Sequence, residues 1–398
     1  VFRSPGIHVD YPELQKAREK GSNITSATKL FFDICPCPII GVTGTKGKGT
    51  TSTLIYKILK NAGKNVYLGG NIGESPFGFI DQLNKNSLVV LELSSFQLQD
   101  LEKSPHIAVV LNTVSEHLDY HKDVEEYQAA KESIVKYQTK EDVVVANFDY
   151  PYHLRYLTLT PAEKFLVSVK KEVGDGTYVE KDKIISTRQW KKETICSTKE
   201  VGLIGPHNLE NIMPAVTVAR YLEIPTDVVK KTILEFRGLP HRLEFIREID
   251  KISYYNDSFS TTPETCIAAI QSFTEPVVLI AGGSDKHSDY SGLAKAIVRQ
   301  ANLKTIVLMG ETADKIEESI NIANDKATEK ADKLNIDQNR DVPLNIVRAK
   351  NYGEAFFAAR LNAEKNGIVV LSPASASFDM FENYKKRGDA FRKWVESL

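Results

Sequence analysis

The sequence predicts an α/β protein: a central domain with a mostly parallel, phosphate-loop-type sheet, followed by a second, Rossmann-like α/β domain. Three observations point there. Short β-branched runs alternate with segments of helical spacing along most of the chain. Those runs are apolar at nearly every position, as strands covered on both faces require. The first of them runs straight into a glycine-rich loop that opens a helix, "PIIGVTGTKGKGTTS".

Taken in order, "PIIGVTG" (38–44) reads as a buried strand. "TTSTLIYKILKNAG" (50–63) follows as a helix, with Leu54, Ile58 and Leu59 at helical spacing and Gly63 as its stop. "NVYLGG", "SLVVLEL" (87–93), "HIAVVLNT" (106–113) and "EDVVVANFD" (141–149) are further strands. The helices between them imply right-handed βαβ crossovers. Residues 160–200 change character, becoming rich in Lys, Glu and Thr with weak alternation, and predict antiparallel strands at one edge. A second series begins near residue 238, with strands at "ISYYNDS" (252–258), "EPVVLIAGG" (275–283), "LKTIVLMG" (303–310) and "GIVVLSPAS" (367–375). The highly charged stretch 322–344 reads as a solvated helix end and loop.

The chain has 398 residues, 42% hydrophobic and 26% charged, enough for two or three domains with their own cores. A formal net charge of −1 gives no electrostatic argument for nucleic acid or a membrane surface as partner. No apolar run approaches the ~20 residues of a membrane-spanning helix, and the start shows no signal peptide. Of the four cysteines, Cys35 and Cys37 flank a single proline, too close for an ordinary disulfide. With Cys196 and Cys266 they read as reduced thiols of a cytoplasmic protein. The chain starts at Val1, and "SPGIHVDYPEL" has the texture of a domain interior, so sequence upstream is expected.

The chemistry begins at Gly44-Thr45-Lys46-Gly47-Lys48-Gly49-Thr50-Thr51. Against the pattern G-x-x-x-x-G-K-[ST] it fails twice: the first glycine would fall at Val42, and the lysine is followed by Gly49. The setting is nonetheless that of a phosphate cradle. Glycines let successive N–H groups face an anion, and the following helix adds its positive end. Lys48 would reach the β- and γ-phosphates of ATP, and Thr50 or Thr51 would hold Mg²⁺. "TGTKGKGTT" resembles the loop of the Mur ligase superfamily, T-G-T-N-G-K-[TSG]-[ST], with Lys46 in place of asparagine. Folylpolyglutamate synthases of that superfamily also carry glycine after the lysine.

Other motifs extend the resemblance. "VLELSSFQL" (90–98) places Glu92 in a buried strand, where a carboxylate is costly unless paired, capped by Ser94 or Ser95, or bound to metal. "LNTVSEHLDYH" (111–121) clusters Asn112, Glu116, His117, Asp119 and His121 at a strand's C-terminal end, where α/β sheets bind ligands. "EEYQAAKESIV" (125–135) is an amphipathic helix in which Lys131, taken alone, is a surface lysine. The resemblance implies two Mg²⁺ ions, with Glu92 and His117 as ligands and Lys131 carbamylated to support the second. It implies catalytic roles for Lys48, His117 and Lys131. In "GPHNLENIMPAV" (205–216), Asn208 reads locally as a helix N-cap. The resemblance instead puts Asn208 and Asn211 near adenine and ribose, Asp257 near the ribose, and Arg242 of "GLPHRLEFI" (238–246) on the ATP phosphates.

"GGNIG" (69–73), "AGGSDKHSDYSGL" (281–293) and "LSPASASFDMFENYKKRGDAF" (371–391) are similar to the branch of that superfamily that adds D-glutamate to UDP-N-acetylmuramoyl-L-alanine. On that likeness Lys286, Thr261 and Ser377 contact the carboxylates of D-glutamate. Phe378 and Tyr384 line the same pocket, and Asn71 and Ser94 meet the muramoyl substrate. The family's N-D-S-K-A-T-N reads here Asn256-Asp257-Ser258-Phe259-Ser260-Thr261-Thr262, so Phe259 replaces a lysine. The implied domains are a remnant of an N-terminal UDP-binding domain (1–36), a central ATPase domain (37–237) and a ligase domain (238–398). The first of these is largely absent. The implied protein is a cytoplasmic monomer that binds ATP and its two substrates, with no nucleic acid or membrane partner. Two rival readings are a folylpolyglutamate synthase-like ligase and a catalytically inert ATP-binding module.

Overall fold

The computed structural model describes residues 1–4, 7–113, 124–203, 205, 207–334 and 344–398. The chain divides into two units, Val1–Phe236 and Arg237–Leu398.

The first unit opens with two short parallel strands, β1 (Phe2–Arg3) and β2 (Thr25–Ser26), and two helices, α1 (Pro12–Glu19) and α2 (Ala27–Ile34). Ser26 caps α2 by accepting the Lys29 N–H. The buried Arg3 ties this segment down, donating to the Asp100 carboxylate at 2.8 Å and to the carbonyls of Ile7 and Phe96.

Nine strands follow: β3 (Ile39–Thr43), β4 (Val66–Gly70), β5 (Leu88–Glu92), β6 (Ile107–Val110), β7 (Val143–Asn147), β8 (Glu163–Ser168), β9 (Gly176–Glu180), β10 (Lys183–Arg188) and β11 (Lys191–Ser197). They form one sheet in the order β11-β10-β9-β8-β7-β6-β3-β5-β4, parallel from β4 to β9. The helices are α3 (Lys48–Asn61), α4 (Ser95–Leu98), α5 (Val124–Lys136), α6 (His153–Thr158), α7 (His207–Tyr221) and α8 (Thr226–Glu235). Ile40, Val42, Val89, Val90, Val109, Val144 and Val145 are completely buried, as apolar runs in a doubly covered parallel sheet should be. The antiparallel edge expected over 160–200 is confined to β9, β10 and β11, because β8 and β9 pair in parallel. A backbone contact allows this: a Cβ on Gly176 would sit 1.8 Å from the Leu166 carbonyl oxygen.

The second unit contains β12 (Glu244–Ile249), β13 (Ile252–Asn256), α9 (Pro263–Ile270), β14 (Val277–Gly282), α10 (Ser291–Arg299), β15 (Leu303–Met309), α11 (Ala313–Leu334), β16 (Asn345–Arg348), α12 (Tyr352–Leu361), β17 (Ile368–Leu371) and α13 (Tyr384–Glu396). The sheet order is β12-β13-β17-β14-β15-β16, and only β12 is antiparallel to its neighbour. Tyr254, Ile280, Val307, Val369, Leu371 and Phe391 form its core. The edge strands β12 and β16 carry no apolar run, which is why the sequence does not announce them. The charged stretch after residue 322 stays helical to Leu334, beyond the helix end expected there.

Candidate active site

Strand β3 delivers its last residue, Thr43, to a loop with two positive-φ glycines, Gly44 at 154° and Gly47 at 84°. Neither position has room for a side chain. A Cβ on Gly44 would lie 2.7 Å from that of Leu111, and one on Gly47 would lie 1.9 Å from Asn211 Oδ1. Lys48, the first residue of α3, folds back so that Nζ donates to the carbonyls of Gly44 at 3.0 Å and Thr45 at 2.9 Å. The ammonium is therefore held over the loop. The Thr45 N–H donates to the Asn112 carbonyl, and its hydroxyl lies 3.0 Å from the Tyr127 hydroxyl. Lys46 is exposed and Gly49 is buried.

The two threonines left open by the sequence separate here. Thr51 is fully buried and donates to the Asn211 carbonyl at 2.9 Å, whereas Thr50 is half-buried. Asn211 also donates from Nδ2 to Asn208 Oδ1 at 2.9 Å. Helix α7 begins at His207, so Asn208 lies inside its first turn and the local N-cap reading does not hold. Burial and the charge of Lys46 push the neighbouring His207 imidazole below its ordinary pKa.

Glu92 ends β5, buried and in register with Val42 of β3 and Gly70 of β4. Its carbonyl accepts the N–H of Asn71, whose side chain is exposed. Ser94 caps α4 through a reciprocal pair with Gln97: the Gln97 N–H donates to Ser94 Oγ and the Ser94 N–H donates to Gln97 Oε1.

Lys131 is not a surface residue. It is 1% exposed, its Nζ lies 3.4 Å from the Gly44 carbonyl and 3.5 Å from Thr43 Oγ1, and it sits 4.6 Å above the Tyr127 ring. The inner face of α5 packs beneath the phosphate loop, and this long-range contact is invisible to helical periodicity. Residues Glu116, His117, Asp119 and His121 lie outside the described residues. Among the described residues no group of three or more His, Cys, Asp and Glu side chains gathers into a metal cluster.

The second unit presents its polar residues at the C-terminal ends of β13, β14 and β17, where ligands bind in such sheets. Asp257 follows β13 and is buried. Its Oδ1 accepts the Leu243 N–H at 3.0 Å and its Oδ2 accepts the Ser372 hydroxyl at 2.8 Å. Burial pushes its pKa up to about 7, against the pull of those hydrogen bonds and of the Arg242 charge. The Arg242 guanidinium stacks on the Phe259 ring, 3.7 Å from its centroid. The loop holding the buried Ser377 is fastened to the loop after β14: Ser284 donates to Asp379 Oδ1, and the Asp379 N–H donates to Ser284 Oγ. Lys286 and Phe378, both exposed, meet at this junction with Nζ 5.3 Å from the ring centroid. Tyr384 opens α13 and packs edge-on against Phe259. Thr261 is half-buried just before α9.

Two family descriptions match the chain, the Mur ligase middle domain over residues 42–219 and the glutamate ligase domain of Mur ligases over residues 241–375. A curated relative from Acetivibrio thermocellus, named UDP-N-acetylmuramoylalanine–D-glutamate ligase, is 40% identical over all of this chain and 82% of its own length. Relatives of the same name from Clostridium tetani and Symbiobacterium thermophilum are each 38% identical, again over the whole chain and over 82% and 84% of their own lengths. The chain belongs to the Mur ligase family.

Solved structures agree on the fold. The UDP-N-acetylmuramate-alanine ligase MurC of Thermotoga maritima matches with a TM-score of 0.63 at 18% identity, over all of this chain and 85% of its own. The MurF ligase of the same organism, solved in complex with ADP, matches at 0.62 and 18%, over 93% of this chain and 83% of its own.

The residues of this Mur ligase suit a nucleotide phosphate with Mg²⁺. Bare backbone at Gly44 and Gly47 leaves room for an anion beside the Lys48 ammonium, and Thr50 and Glu92 carry oxygens of the hard kind that Mg²⁺ prefers and could hold it. One further residue in each unit holds the expected site residues of that unit in place. Tyr127 supports both Thr45 and Lys131, and its only sequence signal is the i, i+4 spacing to Lys131. Arg387, fully buried, holds the loop before Ser377, and in a run of charged helix residues nothing marks it out.

Asp257 makes a pH-dependent contribution. Its native pKa of about 7 lies above the ordinary carboxylate value near 4, so the native state binds the proton more tightly than the unfolded state does. Stability from this group is fully present below the unfolded pKa and is lost as pH rises towards 7. The Tm of the wild type relative to Asp257→Asn should therefore improve between pH 8 and pH 5. A difference that stays constant across that window removes the assignment.

Proposed function

We propose that this Mur ligase joins D-glutamate to UDP-N-acetylmuramoyl-L-alanine through an amide bond, with ATP hydrolysed to ADP and phosphate, in the synthesis of peptidoglycan precursors. The observation that carries this reading is the match to relatives named for that ligase, at 38–40% identity from the first residue to the last. The phosphate loop and the glutamate ligase domain support it.

The substrate carboxylate attacks the γ-phosphorus of ATP, ADP departs, and an acyl phosphate forms. The deprotonated amine of D-glutamate then attacks the acyl carbon, and phosphate leaves from the tetrahedral intermediate. No protein side chain becomes covalently attached, so the chain acts by positioning and electrostatics. Lys48, already held over the loop, neutralises charge on the phosphoryl oxygens as the bond to the leaving group breaks. Two Mg²⁺ ions, held by Thr50, Glu92, His117 and a carbamylated Lys131, supply further charge neutralisation when bound. Asn208, Asn211 and Asp257 take the nucleoside, and Arg242 takes the phosphates. Lys286, Thr261 and Ser377 bind the carboxylates of D-glutamate between Phe378 and Tyr384, and Asn71 and Ser94 meet the muramoyl substrate. We place this activity in a cytoplasmic monomer. Among the described residues no helix is long and apolar enough to cross a membrane.

The test is phosphate release from ATP and Mg²⁺, with each acceptor present alone and with both together. Release that requires both UDP-N-acetylmuramoyl-L-alanine and D-glutamate is the expected result. Release driven instead by a folate and L-glutamate would transfer the chain to the folylpolyglutamate synthase-like reading. Nucleotide binding without acceptor-dependent release would favour the inert module.

A further inference from the structure

We propose that Phe259 is a positioning residue for the nucleotide: its ring holds the Arg242 guanidinium in the orientation that engages a phosphate. The inference deepens the proposed function and rests on it.

Both the backbone of Phe259 and its ring are held. The Phe259 N–H donates to the His241 carbonyl at 2.9 Å, which anchors the residue to the segment that carries Arg242. The Phe259 and Tyr384 rings pack in a T shape, with an interplanar angle of 89° and centroids 5.1 Å apart. The Tyr384 carbonyl in turn accepts the Ser258 hydroxyl at 2.8 Å, and Arg387 Nε donates to that same hydroxyl at 2.9 Å. The ring therefore stands on a buried polar network rather than on a loose loop.

Arg242 Cζ lies 3.7 Å from the Phe259 centroid, well inside the range in which a cation is drawn to the face of an aromatic ring. The attraction of the cation to the ring face uses up no N–H donor. The stack thus removes the rotational freedom of a long side chain while leaving intact the fork that grips a phosphate with two parallel hydrogen bonds. Without the ring, Arg242 would have to be ordered at the moment of binding, and that cost would appear as weaker affinity. His241, at a positive φ of 65°, and Leu243, at 42°, flank Arg242, so the segment presents it from a constrained backbone.

Phe259→Leu keeps an apolar side chain and removes the ring face; Phe259→Tyr keeps the face. Both are compared with wild type for equilibrium binding of MgADP and MgATP by calorimetry, and for the KM of ATP and kcat in acceptor-dependent phosphate release. Phe259→Leu is expected to weaken MgATP binding and raise its KM roughly 3- to 30-fold, the range a partly desolvated cation–π contact supports, with kcat within about twofold; Phe259→Tyr should restore both. Unchanged MgATP affinity in Phe259→Leu overturns the proposal. So does an equal loss in Phe259→Leu and Phe259→Tyr accompanied by a lower Tm, since that pattern belongs to packing. If wild type binds neither nucleotide, the reading of the site as a nucleotide site fails first and this inference falls with it.

Discussion

Replacing Lys48 with alanine is expected to lower acceptor-dependent phosphate release by at least 10²- to 10³-fold, the usual scale for removing a preorganised electrostatic contact to a developing charge. The fold should survive. Lys48 occupies the first position of α3, where the helix dipole is positive and a cation is unfavourable, so its removal costs the helix nothing. Of the two loop carbonyls it meets, that of Gly44 keeps the Lys131 ammonium at 3.4 Å as a second donor. Phosphate release and the thermal unfolding curve, measured on the same preparation, separate the two effects. Activity within ~10-fold of wild type, where such contacts usually carry more, would mean that the loop does not hold the transferred phosphate. An unfolded variant would mean that Lys48 is structural.

The second large effect concerns stability. Arg387 is completely buried and donates to the carbonyls of Ser375 at 3.0 Å, Ala376 at 2.9 Å and Ser258 at 2.9 Å, and to the Ser258 hydroxyl. Arg387→Met matches its length and leaves those three carbonyls buried without this donor. The Ala376 carbonyl keeps the Ser284 N–H as a donor, so two carbonyls are stranded, and at roughly 1–3 kcal/mol for each the variant should lose about 2–6 kcal/mol against urea. A loss below about 1 kcal/mol, the scale of an ordinary surface substitution, would show that the carbonyls find other partners. Because the same arginine holds both the segment after Asp257 and the loop before Ser377, residual folded protein should also bind D-glutamate poorly.

The interior parallel strands β3, β5, β6, β7, β14, β15 and β17 were legible in the sequence because a doubly covered strand must be apolar at every position, and a run such as "VVVAN" has no other stable home. The phosphate loop was legible for a related reason. Glycines, a lysine and a helix start in that order satisfy a local backbone requirement, and the structure shows it in the Cβ positions that Gly44 and Gly47 cannot accommodate. Edge strands β12 and β16 were not legible, since a strand with one partner and a solvated face needs no apolar run. Nor was the parallel pairing of β8 with β9, which depends on a close backbone approach at Gly176.

The site divides along the same line. The sequence by itself determined which residue types could meet a phosphate: the glycines, Lys48 and the threonines, all within one turn of chain, where geometry is set by local dihedral preferences. It determined the family as well, because those words recur at fixed spacing along both units. Only the tertiary structure decided that Thr51 is tied to Asn211 while Thr50 is not, that Lys131 lies beneath the loop and not in solvent, and that Asp257 is buried. Only the structure stacks Arg242 on Phe259 and threads Arg387 through two loops. Each of these outcomes is a contact between residues distant along the chain or a matter of burial. Pairings of that kind are chosen by the packing of whole helices and sheets, and a side chain's neighbours in sequence carry no record of them.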